Sequence, residues 1–302
     1  MLTILPLRAC IPDSDLQSFY LTHNSPYHGL CLFIIPLPII CETNNSQSFG
    51  NYFIPMPDHI LKRKKVLPMK PIKTIDIWGD SILKGIVYSD DEKKYRPAKL
   101  SAVKILEEEF TDITFKNYSR FGNTINRGEE QIKRHIISGK AADMTIIEFG
   151  GNDCDFKWKD VSAAYLSEHI PNTTRNEYKE SIVKVINLLR ESGSIPVIMN
   201  LPPISADKYF DWFCRDEETD PENVLRWLRE KQIIYRTQEL YSHTADITAK
   251  ELDTALMDVR TSFLEIRNYS DYLCTDGIHL NEKGQKVLGE TMIEQLKKII
   301  QG

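Results

Sequence analysis

Four short stretches of this 302-residue chain hold residues whose types could do chemistry together. The first is Gly79-Asp80-Ser81, which follows an apolar run ending in Trp78 and precedes Ile82-Leu83-Lys84, where the pattern predicts the start of a helix. Glycine permits a tight strand-to-helix turn, and the free N–H groups of a helix start favour developing negative charge, so Ser81 is placed as a nucleophile. The second stretch, Asn117 to Thr124, contains Gly122, a residue type that can bring a bare backbone N–H close to a substrate. The third, Phe149-Gly150-Gly151-Asn152-Asp153, allows close backbone approach and then supplies Asn152, a neutral amide donor of the kind an oxyanion needs. The fourth, Thr275 to Gly284, holds Asp276 and His279 three residues apart, so that a carboxylate can fix the ring's tautomer and stabilise the imidazolium. Alone, each has an ordinary reading: a capped turn, a loop glycine, an Asx-turn. Together and in this order they describe an alcohol nucleophile, its base and the donors for an oxyanion. His135, His169 and His243 lie in or beside helical stretches without an acidic partner in a comparable motif and read as surface or core residues. Cys154 follows the Asn152-Asp153 pair with no base of its own nearby, and it is expected not to act as a nucleophile.

These stretches must be positioned by regular elements, and the pattern supplies them from Lys73 onward. Five runs rich in apolar and β-branched residues read as buried strands: Lys73 to Trp78, Ile113 to Ser119, Met144 to Phe149, Ile195 to Asn200 and Thr254 to Val259. Amphipathic stretches separate them: Ala98 to Phe110, Thr124 to Ile137, Glu177 to Glu191 and Glu222 to Tyr241. Asn281 to Ile300 reads as a closing helix with Asn281 as its cap. Alternating strand and helix predicts an α/β fold, a parallel sheet with helices on both faces, whose functional groups gather at the carboxyl edge. The four candidate stretches fall at that edge or just before the last helix.

Residues 1–68 differ in character. They hold eight of the fifteen prolines and nine of the 81 charged residues, and neither period 2 nor period 3.6 is sustained across them. A disordered tail, a translation start at Met69 that makes the stretch a non-native extension, and a small accessory domain all fit; the basic run Lys62 to Lys65 reads as solvated. The organised domain is expected over residues 70–302. A formal net charge of -5 leaves no basic footprint for DNA or RNA. Six cysteines, none in C-x-x-C pairs, argue against a disulfide scaffold or a zinc site and fit a reducing compartment. The longest apolar run, Leu30 to Cys41, is twelve residues broken by two prolines, whereas a membrane span needs about 20. The expectation is a cytoplasmic protein without a membrane span.

The quoted motifs, Gly79-Asp80-Ser81, Gly122, Gly150-Gly151-Asn152-Asp153 and Asp276-Gly277-Ile278-His279, resemble the four blocks of the SGNH (GDSL-type) hydrolase superfamily over about residues 72–290. The resemblance implies a three-layer α/β/α sandwich with a flavodoxin-like five-stranded sheet in the order 2-1-3-4-5. It also implies a triad of Ser81, Asp276 and His279, and an oxyanion hole formed by the Ser81 and Gly122 N–H groups and the Asn152 side chain. Two departures stand out. Ile82 replaces the leucine of the G-D-S-L signature, and Ser119 stands where the first glycine of the second block often lies, which puts the backbone path near Gly122 in question.

The expected reaction is hydrolysis of a carboxylic ester through an acyl-enzyme, without metal or organic cofactor. Seven aromatic residues, Phe156, Trp158, Tyr165, Tyr209, Phe210, Trp212 and Phe213, fall in the two loop regions 154–172 and 202–221. They could stack on a sugar or line a short acyl pocket, or they could pack over the sheet or form a subunit contact. Short acyl esters of carbohydrates or other small alcohols are the expected substrates. The alternatives on the same triad are an acyltransferase, a lysophospholipase or a thioesterase; a binding module that carries the triad without using it is the rival from outside catalysis.

Overall fold

A computed structural model describes residues 71–301; the expectations for residues 1–68 lie outside the described residues. The elements in chain order are β1 (Thr74–Trp78), β2 (Ile86–Ser89), β3 (Lys94–Pro97), α1 (Ala102–Glu109), β4 (Thr114–Asn117), α2 (Ile125–Ile137), β5 (Met144–Ile147), α3 (Trp158–Ala163), α4 (Arg175–Glu191), β6 (Ile195–Met199), α5 (Ala206–Phe213), α6 (Pro221–Leu228), α7 (Gln232–Glu251), β7 (Ala255–Met257), α8 (Arg260–Leu264), a 3-10 turn (Tyr269–Tyr272) and α9 (Glu282–Gln301).

Five strands form one sheet in the order β4-β1-β5-β6-β7, every pair parallel. Counted along the chain, this is the expected order 2-1-3-4-5. A strand buried on both faces is largely apolar, and β5, with all four residues buried and only Thr145 polar, reads as a nearly continuous run for that reason. Side chains alternate between the two faces. Ile75, Ile77, Met144, Ile146, Val197 and Met199 pack with Leu106 of α1 and Leu288, Met292 and Leu296 of α9. Trp78, Ile147 and Ile198 pack on the other side with Ile132 of α2, Ile186 of α4 and Tyr241 of α7. The three-layer α/β/α sandwich follows from this division. Asn281 caps α9 as expected, its Oδ1 accepting the N–H groups of Lys283 and Gly284 at 3.0 and 3.1 Å.

Two expectations need correction, and one element was not foreseen. The helix expected after Ser81 is a single turn, in which Lys84 N–H donates to Asp80 O, and Gly85 at φ +72° ends it. A side chain at Gly85 would also collide with Ser101, 2.4 Å from an added Cβ. The chain then enters the β2–β3 antiparallel hairpin, which the pattern did not reveal. The stretch Glu222 to Tyr241 is two helices, because Arg229 adopts φ +71° after α6, whose start is fixed by Asp220 as cap and Pro221 in the first turn. Among the described residues, no helix is long and apolar enough to cross a membrane.

Candidate active site

The sheet's carboxyl edge brings the candidate residues together. Ser81 leaves β1 two residues beyond Gly79, and its Oγ lies 2.8 Å from His279 Nε2. His279 Nδ1 lies 2.6 Å from Asp276 Oδ2, and with Nδ1–H donating to that carboxylate, Nε2 is left to accept from the serine. Asp276 is fully buried, and Oδ1 also accepts the N–H groups of Ile278 and His279 at 3.1 and 3.0 Å. Burial alone would raise its pKa. The hydrogen bond and charge of His279, with the two N–H donors, outweigh burial and hold the carboxyl below its usual range.

The turn that carries this pair is locked. Gly277 sits at φ +76°, and an added Cβ would lie 2.7 Å from Tyr209 N and 2.8 Å from Ser205 O, so only glycine fits between the turn and α5. Cys274 N–H donates to His279 O, and Leu273 and Leu280 form a β-bridge across the base of the turn.

Asn152 lies in the loop after β5 and lines the same cavity as Ser81. Its Nδ2 donates to Asp80 Oδ2 at 2.9 Å and to Asn123 O at 3.1 Å. Gly150, at φ +137°, brings the loop against Tyr178 and Leu201, where an added Cβ would lie 2.9 Å from the tyrosine oxygen. In the loop after β4, Asn123 N–H donates to Arg120 O, closing a turn in which Gly122 adopts φ +67°. Nothing lies within 4 Å of an added Cβ there, so glycine is demanded by backbone conformation and not by packing. Ser119 is not among the residues with positive φ, and Arg120 N–H donates to Gly79 O, so the serine departure leaves the loop tied to β1.

Asp80, Ser81, Asn152 and His279 open into a cavity of about 640 Å³, whose lining includes Phe121 but not Gly122. Ser81, Asn152 and His279 line it at one place; Leu201, Leu228 and Ile234, all buried, line it elsewhere. Five of the seven loop aromatics, Phe156, Trp158, Tyr209, Trp212 and Phe213, also line it, with Trp158 and Phe213 stacked at 4.2 Å. Phe210 is buried in the same apolar cluster, and Tyr165 lies under the Arg226 guanidinium. Asp155 accepts from Trp158 Nε1 and from the Tyr209 hydroxyl, and burial pushes its pKa up to about 6.

The model of the GDSL-like lipase/acylhydrolase family matches residues 77–292, well over half of the chain. The chain belongs to this family. A GDSL esterase/lipase of Oryza sativa subsp. japonica is 26% identical over 157 residues, 51% of this chain and 54% of that protein. One of Arabidopsis thaliana is 24% identical over 194 residues, 62% of this chain and 67% of its own length. The chain thus spans about half the length of the first of these relatives and two thirds of the second. Among solved structures, the fold is shared with a lipase/acylhydrolase from Enterococcus faecalis at TM-score 0.54 and 16% identity, covering 75% of this chain and 96% of that one. It is also shared with a catalytic mutant of Axe2, an acetylxylan esterase from Geobacillus stearothermophilus, at TM-score 0.52 and 15% identity, covering 76% and 96%.

Within this GDSL-family site, several contacts were not foreseen from the sequence. Tyr95, on β3 of the unforeseen hairpin, packs its ring 5.0 Å from His279, and burial together with the nearby Asp276 carboxylate pushes its pKa up. Phe121, 51% exposed, stacks on the His279 ring at 5.6 Å and lies 5.2 Å from the Tyr95 ring. Asp153 points away from the cavity: both its oxygens accept Ile125 N–H, at 3.0 and 3.1 Å, so it anchors the start of α2, and burial pushes its pKa up to about 7. Cys154 is buried, donates its S–H to Gly151 O and has a pKa pushed well up by burial and the nearby Asp155 and Asp153, which keeps it a thiol. His135 has an acidic partner outside any local motif, Asp76 at 3.0 Å; the two are 59 residues apart and meet because α2 packs on β1.

Proposed function

We propose that this chain is a serine hydrolase of carboxylic esters, in which Ser81 is the nucleophile, His279 the base and Asp276 the residue that orients it. The observation that carries the reading is the unbroken relay from Asp276 through His279 to Ser81 at the wall of an open cavity. His279 Nε2 takes the hydroxyl proton as Ser81 Oγ attacks the acyl carbon. The leaving alcohol then recovers that proton, and water repeats the attack on the acyl-enzyme. The developing oxyanion would be met by the Ser81 and Gly122 N–H groups and by Asn152. The Asn152 amino group has two hydrogens and two partners in the free protein, so the oxyanion competes with Asn123 O, the longer of the two contacts, while Asp80 keeps hold of the amide.

For the acyl group, acetyl esters of sugars draw support from the exposed Phe121 and the neighbouring Trp212, aromatic faces on which a sugar alcohol could stack beside His279. The cavity itself favours a larger acyl group. Its volume is that of a pocket for a drug-sized ligand, and its buried wall is apolar, so a chain longer than acetyl gains by burial there, as in the lysophospholipase and thioesterase readings. The cytoplasmic reading rests on the sparse, unpatterned cysteines; among the described residues Cys154, Cys214 and Cys274 form no disulfide. A chromogenic ester series of increasing acyl length, run on the wild type and on Ser81→Ala, tests activity and acyl size together. Labelling of Ser81→Ala by a fluorophosphonate at the wild-type rate would overturn the nucleophile assignment.

A further inference from the structure

Glu148 takes no part in the mechanism above, yet it stands directly behind the nucleophile. It follows β5, is 1% exposed, and its carboxyl group touches that of Asp80, the neighbour of Ser81. An added Cβ on Gly79 would lie 2.8 Å from Glu148 Oε2 and 2.8 Å from Glu148 O, so glycine at this position makes room for the carboxyl group as well as for the turn.

Two buried carboxyl groups in contact cannot both be ionised at modest cost, so one proton is held between them. The donors around the pair decide which residue carries it. Asp80 accepts Ile82 N–H at 2.8 Å on Oδ1 and Asn152 Nδ2 at 2.9 Å on Oδ2, contacts that favour a carboxylate. Glu148 receives one long contact, from Asp80 N–H to Oε2 at 3.4 Å, and its buried Oε1 has no donor among the described residues. As a carboxylate it would be left with an unsatisfied buried oxygen; as a carboxylic acid it becomes a donor to Asp80. The charges around the pair point the same way: Asp153 after β5 repels a second charge on Glu148, and the charge of His279 favours a carboxylate at Asp80; the Tyr178 hydroxyl of α4 is committed to Phe149 O and gives Glu148 no donor.

We propose that Glu148 is a positioning residue for the ester hydrolysis: as a neutral acid it hydrogen-bonds the Asp80 carboxylate, and Asp80 in turn holds the Asn152 amide at the oxyanion site. This rests on the serine-hydrolase reading. The proton on Glu148 does two things at once. It limits the charge behind the oxyanion site to one, and it supplies Asp80 with a third donor, so the carboxylate that aims Asn152 is itself held on three sides.

The test compares Glu148→Gln, which keeps an N–H donor, with Glu148→Leu, which keeps bulk and loses the donor. Gln is expected to keep kcat within about threefold of wild type. Leu is expected to lower kcat by about tenfold or more with KM within about twofold, a smaller loss than the roughly 10²-fold of removing an oxyanion donor outright. At pH 9, above the values near 7 and 6 of Asp153 and Asp155, the infrared spectrum of the wild type should retain a carboxylic-acid C=O band that Glu148→Gln lacks. If Leu fails to fold, the Gln kinetics and the band decide. A Gln variant as impaired as Leu, a folded Leu variant with wild-type kcat, or a wild type without the band would each overturn the proposal. Failure of the serine-hydrolase reading looks different: the wild type itself would turn over no ester and take no fluorophosphonate label.

Discussion

Two buried His–Asp pairs sit on the same parallel sheet. His279 and Asp276 meet at 2.6 Å beyond its carboxyl edge, and His135 and Asp76 meet at 3.0 Å on one face. The second pair is enclosed: Tyr118 and Trp78 lie 4.7 and 5.4 Å from the His135 ring. The first has Ser81 Oγ 2.8 Å from its free nitrogen and a cavity beyond. The pairing of a ring with a carboxylate is common to both, so the pairing alone does not make a base. What separates them is a third group with a proton to give and space for the molecule that will receive the attack. The backbone supplies this difference, because Gly79 and Gly277 put Ser81 and His279 on turns past the sheet edge, while Asp76 lies inside β1 with its neighbours paired on both sides.

The comparison is broken most severely by removing the third group. Ser81→Ala should lower kcat by about 10⁶-fold, the scale on which a serine nucleophile fails, and circular dichroism should show the fold intact. The equivalent change in each pair gives the sharpest contrast. Asp276→Asn should cost about 10⁴-fold in kcat, because the ring loses its orienting acceptor and its correct tautomer. Asp76→Asn should leave kcat within about twofold, since that ring faces no substrate. Equal losses from the two would show that the sheet transmits the state of the second pair to the first. Next in size is Asn152→Ala, expected to lower kcat by about 10²-fold to 10³-fold with a smaller change in KM. A change confined to KM would assign Asn152 to ground-state binding instead.

How far the two pairs could be read from the sequence also differs. Asp276 and His279 are three residues apart and carry their signal locally, in a turn with a required glycine. The same holds for Gly79 to Ser81 and for Gly150 to Asn152, each marking the end of a buried strand, and the central sheet strands themselves were legible because strands covered on both faces are largely apolar, with Asp76 and Thr145 as the polar residues inside β1 and β5. Asp76 and His135 are brought together only by α2 packing on β1, and a contact of that kind leaves no mark at either position. Tyr95 was missed for a related reason: the hairpin that carries it has two four-residue strands outside the main sheet, with no sustained alternation to find. The break at Arg229 was hidden because the apolar spacing continues through it, and only the backbone reverses. Glu148 was in view as a residue but not as an acid, since its protonation depends on Asp80 from another strand exit.

The smallest effect concerns the enclosed pair. Burial raises the pKa of Asp76, and the charge and hydrogen bond of His135 act against that rise. In His135→Phe the ring contacts with Trp78 and Tyr118 can persist while the carboxylate loses its partner, so the pKa of Asp76 rises further. A carboxyl whose folded pKa lies above its unfolded value gives a stability that is complete below the unfolded value, near 4, and is lost as pH rises through the folded one. The variant should therefore melt close to the wild type at pH 4 and below it at pH 8, where the orphaned carboxylate costs about 1–3 kcal/mol. In a domain of this size that corresponds to a drop of about 2–4 °C per kcal/mol. Its kcat at pH 8, measured well below the melting temperature, should stay within about twofold of wild type. A melting deficit that is the same at both pH values would mean that the lost contact is packing and not charge, and a tenfold loss of kcat would mean that the enclosed pair is coupled to the open one.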